Sequence, residues 1–221
     1  MFLELVGAFR CPRPHDLTWL VALALDLEDR DIVEGELGCP TCGARYPVVD
    51  GVVDFRGDAV ASARRRTVAP DARALSELAM RAAALLALTE PGGVAVLTGT
   101  WAAAAHDVVA LTENVNVLAI DPPYHVASGF GVSVALASDV LPLRPMSVRA
   151  IALDTAHATT RFAASSVAAL LPHGRLLAPV ATALPDGITE LARDQREWVG
   201  ERLQSVKLGR GKRASASPDR G

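Results

Sequence analysis

Residues 93–121 read GVAVLTGTWAAAAHDVVALTENVNVLAID, and this stretch decides the fold. Two short apolar runs, VAVLT and VNVLAID, flank an alanine-rich segment with the spacing of a helix. Strand, helix, strand is the βαβ unit, and its strands lie parallel. The same alternation continues downstream. GVSVALASD and VRAIALD read as further strands, TTRFAASSVAALL as a helix and GRLLAPV as a fifth strand. Upstream, Pro70-Asp71 opens an alanine- and leucine-rich helix that Pro91-Gly92-Gly93 closes. The pattern predicts a doubly wound, mostly parallel α/β domain over 71–208. DGITELARDQREWVGERL is expected to form a late amphipathic helix, and QSVKLG an edge strand.

The first 56 residues have another character. Their punctuation is dense, as in CPRPH, EGELGCPTCG and YPVVDGVVDF. Asp50-Gly51 between two valine pairs predicts a hairpin turn with positive φ. TWLVALALDLEDRDIVEGEL fits either a short helix or a strand followed by a turn. The expectation is a small β-rich, zinc-ribbon-like domain over 1–56, then a linker over 57–70 and a polar, disordered tail over 209–221. Arg64, Arg65 and Arg66 in the linker suit a solvated connector, or a phosphate or RNA contact.

Bulk properties narrow the class. The 221 residues carry a net charge of −3, with half the chain hydrophobic. Nucleic-acid binding is not indicated by that charge. No apolar run reaches the ~18 residues that span a bilayer. Three cysteines, two of them in Cys39-Pro40-Thr41-Cys42, argue against a disulfide scaffold and for a reducing compartment. With no signal peptide in evidence, the expected location is the cytoplasm.

The cysteine pair is half a metal site, because two thiolates two residues apart can face one ion. Cys11 stands upstream with Pro14 where a second cysteine would complete the other half, and His15 follows. Cys11, His15, Cys39 and Cys42 could hold zinc. The alternative is a degenerate ribbon that folds without metal around buried cysteines. A redox role is disfavoured, since no thioredoxin-like βαβ unit surrounds the pair.

FRCPRPH followed by GELGCPTCGARYPVVDGVVDF resembles the small zinc-binding activator subunit of tRNA, ribosomal-RNA and release-factor methyltransferases. Tyr46 to Val52 carries most of the likeness, and Val53 departs from the usual proline. The resemblance covers about a quarter of the chain. It implies a module that binds and stabilises a methyltransferase domain, here fused ahead of one.

The α/β domain in turn resembles a class I S-adenosylmethionine-dependent methyltransferase, a Rossmann-like fold. That resemblance implies a cofactor loop at Thr98, Gly99 and Thr100, a ribose carboxylate at Asp121 and an adenine-side residue at Asp139. Asp154, ending the fourth strand, would be the catalytic or substrate residue. Asp139 precedes Leu-Pro as in the family, and LLPHGRLL resembles the entry to its fifth strand with His173 replacing a glycine. The loop departs from the pattern. Val96 stands at the usual acid, and Thr98, Thr100 and Ala102 stand at the usual glycines. Gly99 is one position out of register.

Two function classes follow. One is a methyltransferase acting on RNA, protein or a small molecule. The other is a pseudoenzyme with weak or lost S-adenosylmethionine binding, working through a protein partner or as a homo-oligomer. About 40 residues after strand five appear too few for the usual antiparallel sixth and seventh strands with substrate insertions, which favours the second. Asp121-Pro122-Pro123-Tyr124 looks like the motif of amino-group methyltransferases, but it follows strand two instead of strand four. It reads as a carboxylate before a rigid turn. His157, in DTAH, is either a base or a helix cap, and Trp19, Trp101 and Trp198 read as packing residues. There is no Gly-x-Ser-x-Gly elbow and no P-loop.

Overall fold

The computed structural model describes residues 1–57 and 71–203. The three linker arginines, QSVKLG and the tail lie outside them. The ambiguous segment resolves as a hairpin, β1 (Val21–Glu28) and β2 (Asp31–Gly38). A second hairpin joins β3 (Arg45–Val49) to β4 (Val52–Asp54) through Asp50 and Gly51, both at positive φ as the sequence required. After α1 (Ala72–Leu85) come β5 (Val94–Thr98), α2 (Gly99–Ala102), α3 (Ala105–Leu111), β6 (Asn116–Ile120), β7 (Val132–Leu136), β8 (Val148–Ala152), α4 (Thr160–Ala169) and β9 (Leu170–Pro179).

Each element follows from its residues. The strands β5 to β8 are almost wholly apolar and buried, as strands covered on both faces must be. Asp71 caps α1 by accepting from Ala74 N at 2.8 Å, and Thr159 caps α4 by accepting from Phe162 N.

The late helix does not form. Its residues make β10 (Ile188–Arg193) and β11 (Glu197–Arg202). The turn between them explains the change. Asp194 Oδ1 accepts from the backbone N–H groups of Arg196 and Glu197, an Asx turn that reverses the chain. Trp198 and Val199 are then buried on β11, which pairs antiparallel with both β9 and β10. The two antiparallel strands thought not to fit are therefore present, and the sequence's helical spacing was a coincidence of a two-residue period interrupted by a turn.

The strand order is β1-β2-β3-β4-β7-β6-β5-β8-β9-β11-β10. From β4 to β9 every neighbouring pair is parallel. The result is a small β-rich N-terminal region followed by a mixed, partly parallel α/β sheet. The sheet runs without a break from one to the other through β4 and β7. Phe55 N donates to Leu136 O, Ser128 Oγ to Gly51 O, and Arg10 N to Pro142 O across the same junction. One apolar core spans both, with Phe9, Tyr46 and Phe55 beside Ile120, Leu141 and Leu143.

The chain goes from β5 outward through β6 to β7, then returns to place β8 on the other side of β5. The carboxyl ends of β5 and β8 thus mark the topological switch point, where open α/β sheets form a crevice.

Candidate functional site: a Cys/His cluster and a closed crevice

The turn after β2 carries Cys39 and Cys42, and Gly43, at φ +68°, bends the chain behind them. Cys11 and His15 come from the segment before β1. The four ligand atoms lie within 4.8 Å of one another. Cys11 Sγ is 3.7 Å from Cys42 Sγ, and Cys39 Sγ is 3.4 Å from His15 Nε2. A tetrahedral zinc site with bonds of about 2.3 Å to sulfur and about 2.05 Å to nitrogen has edges near about 3.8 and about 3.5 Å. These two edges match. His15 Nδ1–H donates to Asp16 O at 2.6 Å, which fixes the tautomer and leaves Nε2 bare toward the thiols. The Tyr46 hydroxyl lies 3.1 Å from Cys11 Sγ. Burial pushes the Cys11 thiol up, while the backbone N–H of Ala44 pulls the exposed Cys42 thiol down.

At the switch point, Asp154 follows β8 and Gly99 follows β5. Asp154 turns its carboxylate into the loop. Oδ2 accepts from Thr100 N at 3.3 Å, and Oδ1 accepts from Thr98 Oγ1 at 3.2 Å. Thr98 Oγ1 in return accepts from Asp154 N at 2.8 Å. Gly99 sits at φ +46°, and a Cβ there would lie 2.0 Å from Asp154 Oδ2. The glycine that survives in the loop therefore makes room for a protein carboxylate.

His157 joins this carboxylate to another. Its Nδ1–H donates to Asp154 Oδ1 at 2.6 Å and its Nε2–H to Asp121 Oδ2 at 2.9 Å. Burial alone would lower the imidazole pKa, but the hydrogen bonds and charges of Asp121 and Asp154 outweigh it and raise it to about 9. Burial likewise pushes Asp154 up, and the hydrogen bond and charge of His157 together with the backbone N–H groups of Thr100 and His157 outweigh it, leaving Asp154 below the usual carboxylate range. At neutral pH the array is carboxylate, imidazolium, carboxylate. Neither ring nitrogen is free to take a proton.

Thr98, Gly99, Thr100, Asp121 and Asp154 thus come together. Asp139 does not join them: it is exposed and its carboxylate is held by Arg161 of α4. Val96, at the position of the usual acid, is fully buried in the apolar core. Trp101 and Trp198 pack as expected, but Trp19 is exposed, contrary to its reading as a packing residue. A cavity of about 250 Å³ opens beside the loop, bounded by Arg81, Thr100, Trp101, Asp154, Thr155 and Arg196.

Residues 9–51 match the family of Trm112p-like proteins. The chain therefore carries an N-terminal Trm112p-like module. Solved structures with a related fold include one chain of the complex between the Haloferax volcanii Trm112 methyltransferase activator and its methyltransferase. It is 12% identical at a TM-score of 0.45, over 60% of this chain and 95% of that one. An S-adenosyl-L-methionine methyltransferase from Silicibacter pomeroyi is 14% identical at 0.43, over 59% and 95%. The MycE methyltransferase of the mycinamycin pathway is 11% identical at 0.46, over 64% of this chain and 50% of its own. No curated protein matches the chain.

β4 follows directly on the matched residues and joins the sheet, so the Cys/His cluster is tied through β3 and β4 to the edge of the parallel strands. His157 is the functional residue whose role sequence reading missed. The signal was the three-residue spacing to Asp154, which lets the Asp154 carboxylate also accept from His157 N in the turn. That Asp121 would close the array from another strand was not visible in either motif.

Proposed function

We propose that this chain is a methyltransferase-like pseudoenzyme that works through a protein partner, with its cofactor crevice closed by its own side chains. The observation that carries the reading is the Asp121–His157–Asp154 array. S-adenosylmethionine in this fold would need Asp121 for its ribose and the loop N–H groups for its methionine part. Asp121 is engaged by His157, and Thr100 N by Asp154. Breaking one such charge-assisted hydrogen bond costs about 1.5–3 kcal/mol, roughly ten- to over a hundredfold in affinity. The acid that would hold the cofactor ammonium is replaced by buried Val96. In the Haloferax volcanii structure the activator stands in a complex with a methyltransferase. We carry that protein-partner role to this chain, whose described residues include no helix long and apolar enough to cross a membrane.

The same proposal assigns one zinc ion to Cys11, His15, Cys39 and Cys42. Four protein donors leave no position for substrate, so the ion would cross-link the module and take no part in chemistry. The cavity beside Thr100 and Asp154 favours a second reading, an active methyltransferase whose substrate sits there. Titration calorimetry with S-adenosylmethionine separates the two. The expected result is no binding tighter than roughly 100 micromolar, and tighter binding to His157→Ala than to the wild type, because that change frees Asp121. Low-micromolar affinity of the wild-type protein would return it to the enzymes.

A further inference from the structure

β1 is the outermost strand of the sheet and has a strand neighbour on one side only. Its pattern is inverted. Leu20, Ala22 and Ala24 turn toward the core, while Leu17, Trp19, Val21, Leu23, Leu25 and Leu27 are 49–75% exposed. A half-buried strand ordinarily points its large apolar residues inward. Within β1 the small Ala22 and Ala24 go in and the large residues go out. Residues 17–25 contain no charge and no proline, the devices that normally guard an edge strand. Val49 on β3 is exposed as well.

The size of this surface indicates what covers it. Six such side chains expose on the order of 700 Å², more than the ~300–600 Å² of the largest patch on an ordinary monomer. It is close to the about 800 Å² that each partner contributes to a standard interface.

Its charge pattern indicates a second copy of the same chain. Asp26, Glu28 and Asp29 stand together at the C-terminal end of β1 and its turn, and all are exposed. Arg13 and Asp16, both exposed, precede the N-terminal end, and Arg30 beside the acidic group is paired with Glu4. An antiparallel two-fold arrangement centred on Leu23 sets Val21 of each copy near Leu25 of the other, and Trp19 near Leu27. It also brings each acidic end toward the other copy's Arg13. A parallel arrangement would crowd the carboxylates together. A two-fold contact closes at two copies and does not propagate, so the same patch is used on both sides.

We infer that the outer face of β1 is a homodimer interface, with Trp19, Leu23 and Leu25 as its apolar centre. This inference names the partner in the reading above but rests on a different part of the molecule. It stands or falls independently of the calorimetry on the crevice.

Sedimentation velocity of the full chain from roughly 1 to 100 micromolar tests it, with Leu23→Lys and Leu25→Lys alongside. Both positions are exposed, so the variants should keep the wild-type near-ultraviolet spectrum and melting temperature. The wild type is expected to dimerise, and each variant to raise the dissociation constant about thirtyfold or more. Acrylamide quenching gives a second readout, since Trp19 is exposed while Trp101 and Trp198 are buried. Quenching should fall as the wild type associates and stay constant in Leu23→Lys. A wild type that remains monomeric over this range, or variants that dimerise as well as it does, would overturn the inference.

Discussion

The two polar sites of this molecule satisfy their atoms in opposite ways. In the Trm112p-like module, the four ligand atoms of Cys11, His15, Cys39 and Cys42 lie within 4.8 Å of one another, and two of the edges between them, 3.7 and 3.4 Å, have lengths a tetrahedral ion would set. In the crevice, both Asp154 oxygens and Asp121 Oδ2 are answered from within the chain, by Thr98, Thr100, Ala137 and His157. On the reading proposed above, the first site takes an ion from outside, while the second is held by the chain's own carboxylates and histidine.

The largest effect should come from the open site. A structural zinc in a peptide of this kind is worth about 10–16 kcal/mol of apparent folding free energy. Purified protein should carry about one zinc per chain by elemental analysis. Chelation or Cys39→Ser should then melt the module and, through β4, loosen the edge at β7. Protein without metal whose thermal unfolding is unchanged by Cys39→Ser would break the comparison, because the cluster would then be a packed core of thiols.

Gly99→Ala tests the closed site on its backbone. The new Cβ would meet the Asp154 carboxylate at 2.0 Å, and the residue would be held at φ +46°. Clash and strain together should cost about 3 kcal/mol or more. Denaturant unfolding measures this directly. A cost below about 1 kcal/mol would show that Asp154 does not occupy the loop, and the crevice would be open after all.

The frame of the α/β domain was legible because buried parallel strands are written as continuous apolar runs, so β5 to β8 could be read one after another. The Asp50-Gly51 turn was legible for the same reason of local chemistry. The late hairpin was not, because Ile188, Leu191, Ala192 and Trp198 recur at a helical spacing and the Asx turn at Asp194 looks like any acidic residue in a helix. That Cys11, His15, Cys39 and Cys42 would come together was readable from type and spacing. The closed crevice was only half readable: the sequence shows missing glycines, but the closing contact joins residues 36 apart, His157 and Asp121. Trp19 was misread because alternation alone does not say which face of an edge strand is covered.

Stability against pH sharpens the closed site further. Asp121 and Asp154 push the His157 imidazole up to about 9 in the folded chain, from its ordinary 6.5. A raised pKa means the histidine's contribution is complete below about pH 6.5 and is lost as pH rises through about 9, in total on the order of 3 kcal/mol. Asp154 has the opposite sign: its pKa is depressed, so its contribution holds above the ordinary carboxylate value of 3.8 and disappears in acid. The difference in unfolding free energy between wild type and His157→Asn should therefore be greatest between about pH 4 and 6.5 and shrink toward pH 9. A difference independent of pH would mean that the ring is neutral and merely packed.

The smallest effect is expected at Asp139, and its smallness is the point. The family resemblance would make it a cofactor residue, equal in rank to Asp121. In the structure its carboxylate is exposed, held by Arg161 and touched by Ser138 Oγ, and no bond links it to the Asp121–His157–Asp154 array. An exposed ion pair of this kind contributes about 0–1 kcal/mol, because solvent screens the attraction and two side chains lose freedom to make it. Asp139→Asn should therefore change the unfolding free energy by less than about 1 kcal/mol, and this small change should fade in high salt. It should also leave the response to S-adenosylmethionine as weak as in the wild type. Asp121→Asn is the matched control, since it removes a charge that His157 needs, and it should cost several times more and lower the histidine pKa. If Asp139→Asn proved the more damaging of the two, the acidic centre of the domain would lie on the Asp139 side. The closed array would then be a bystander, and the contrast between the two sites would have to be redrawn around Asp139.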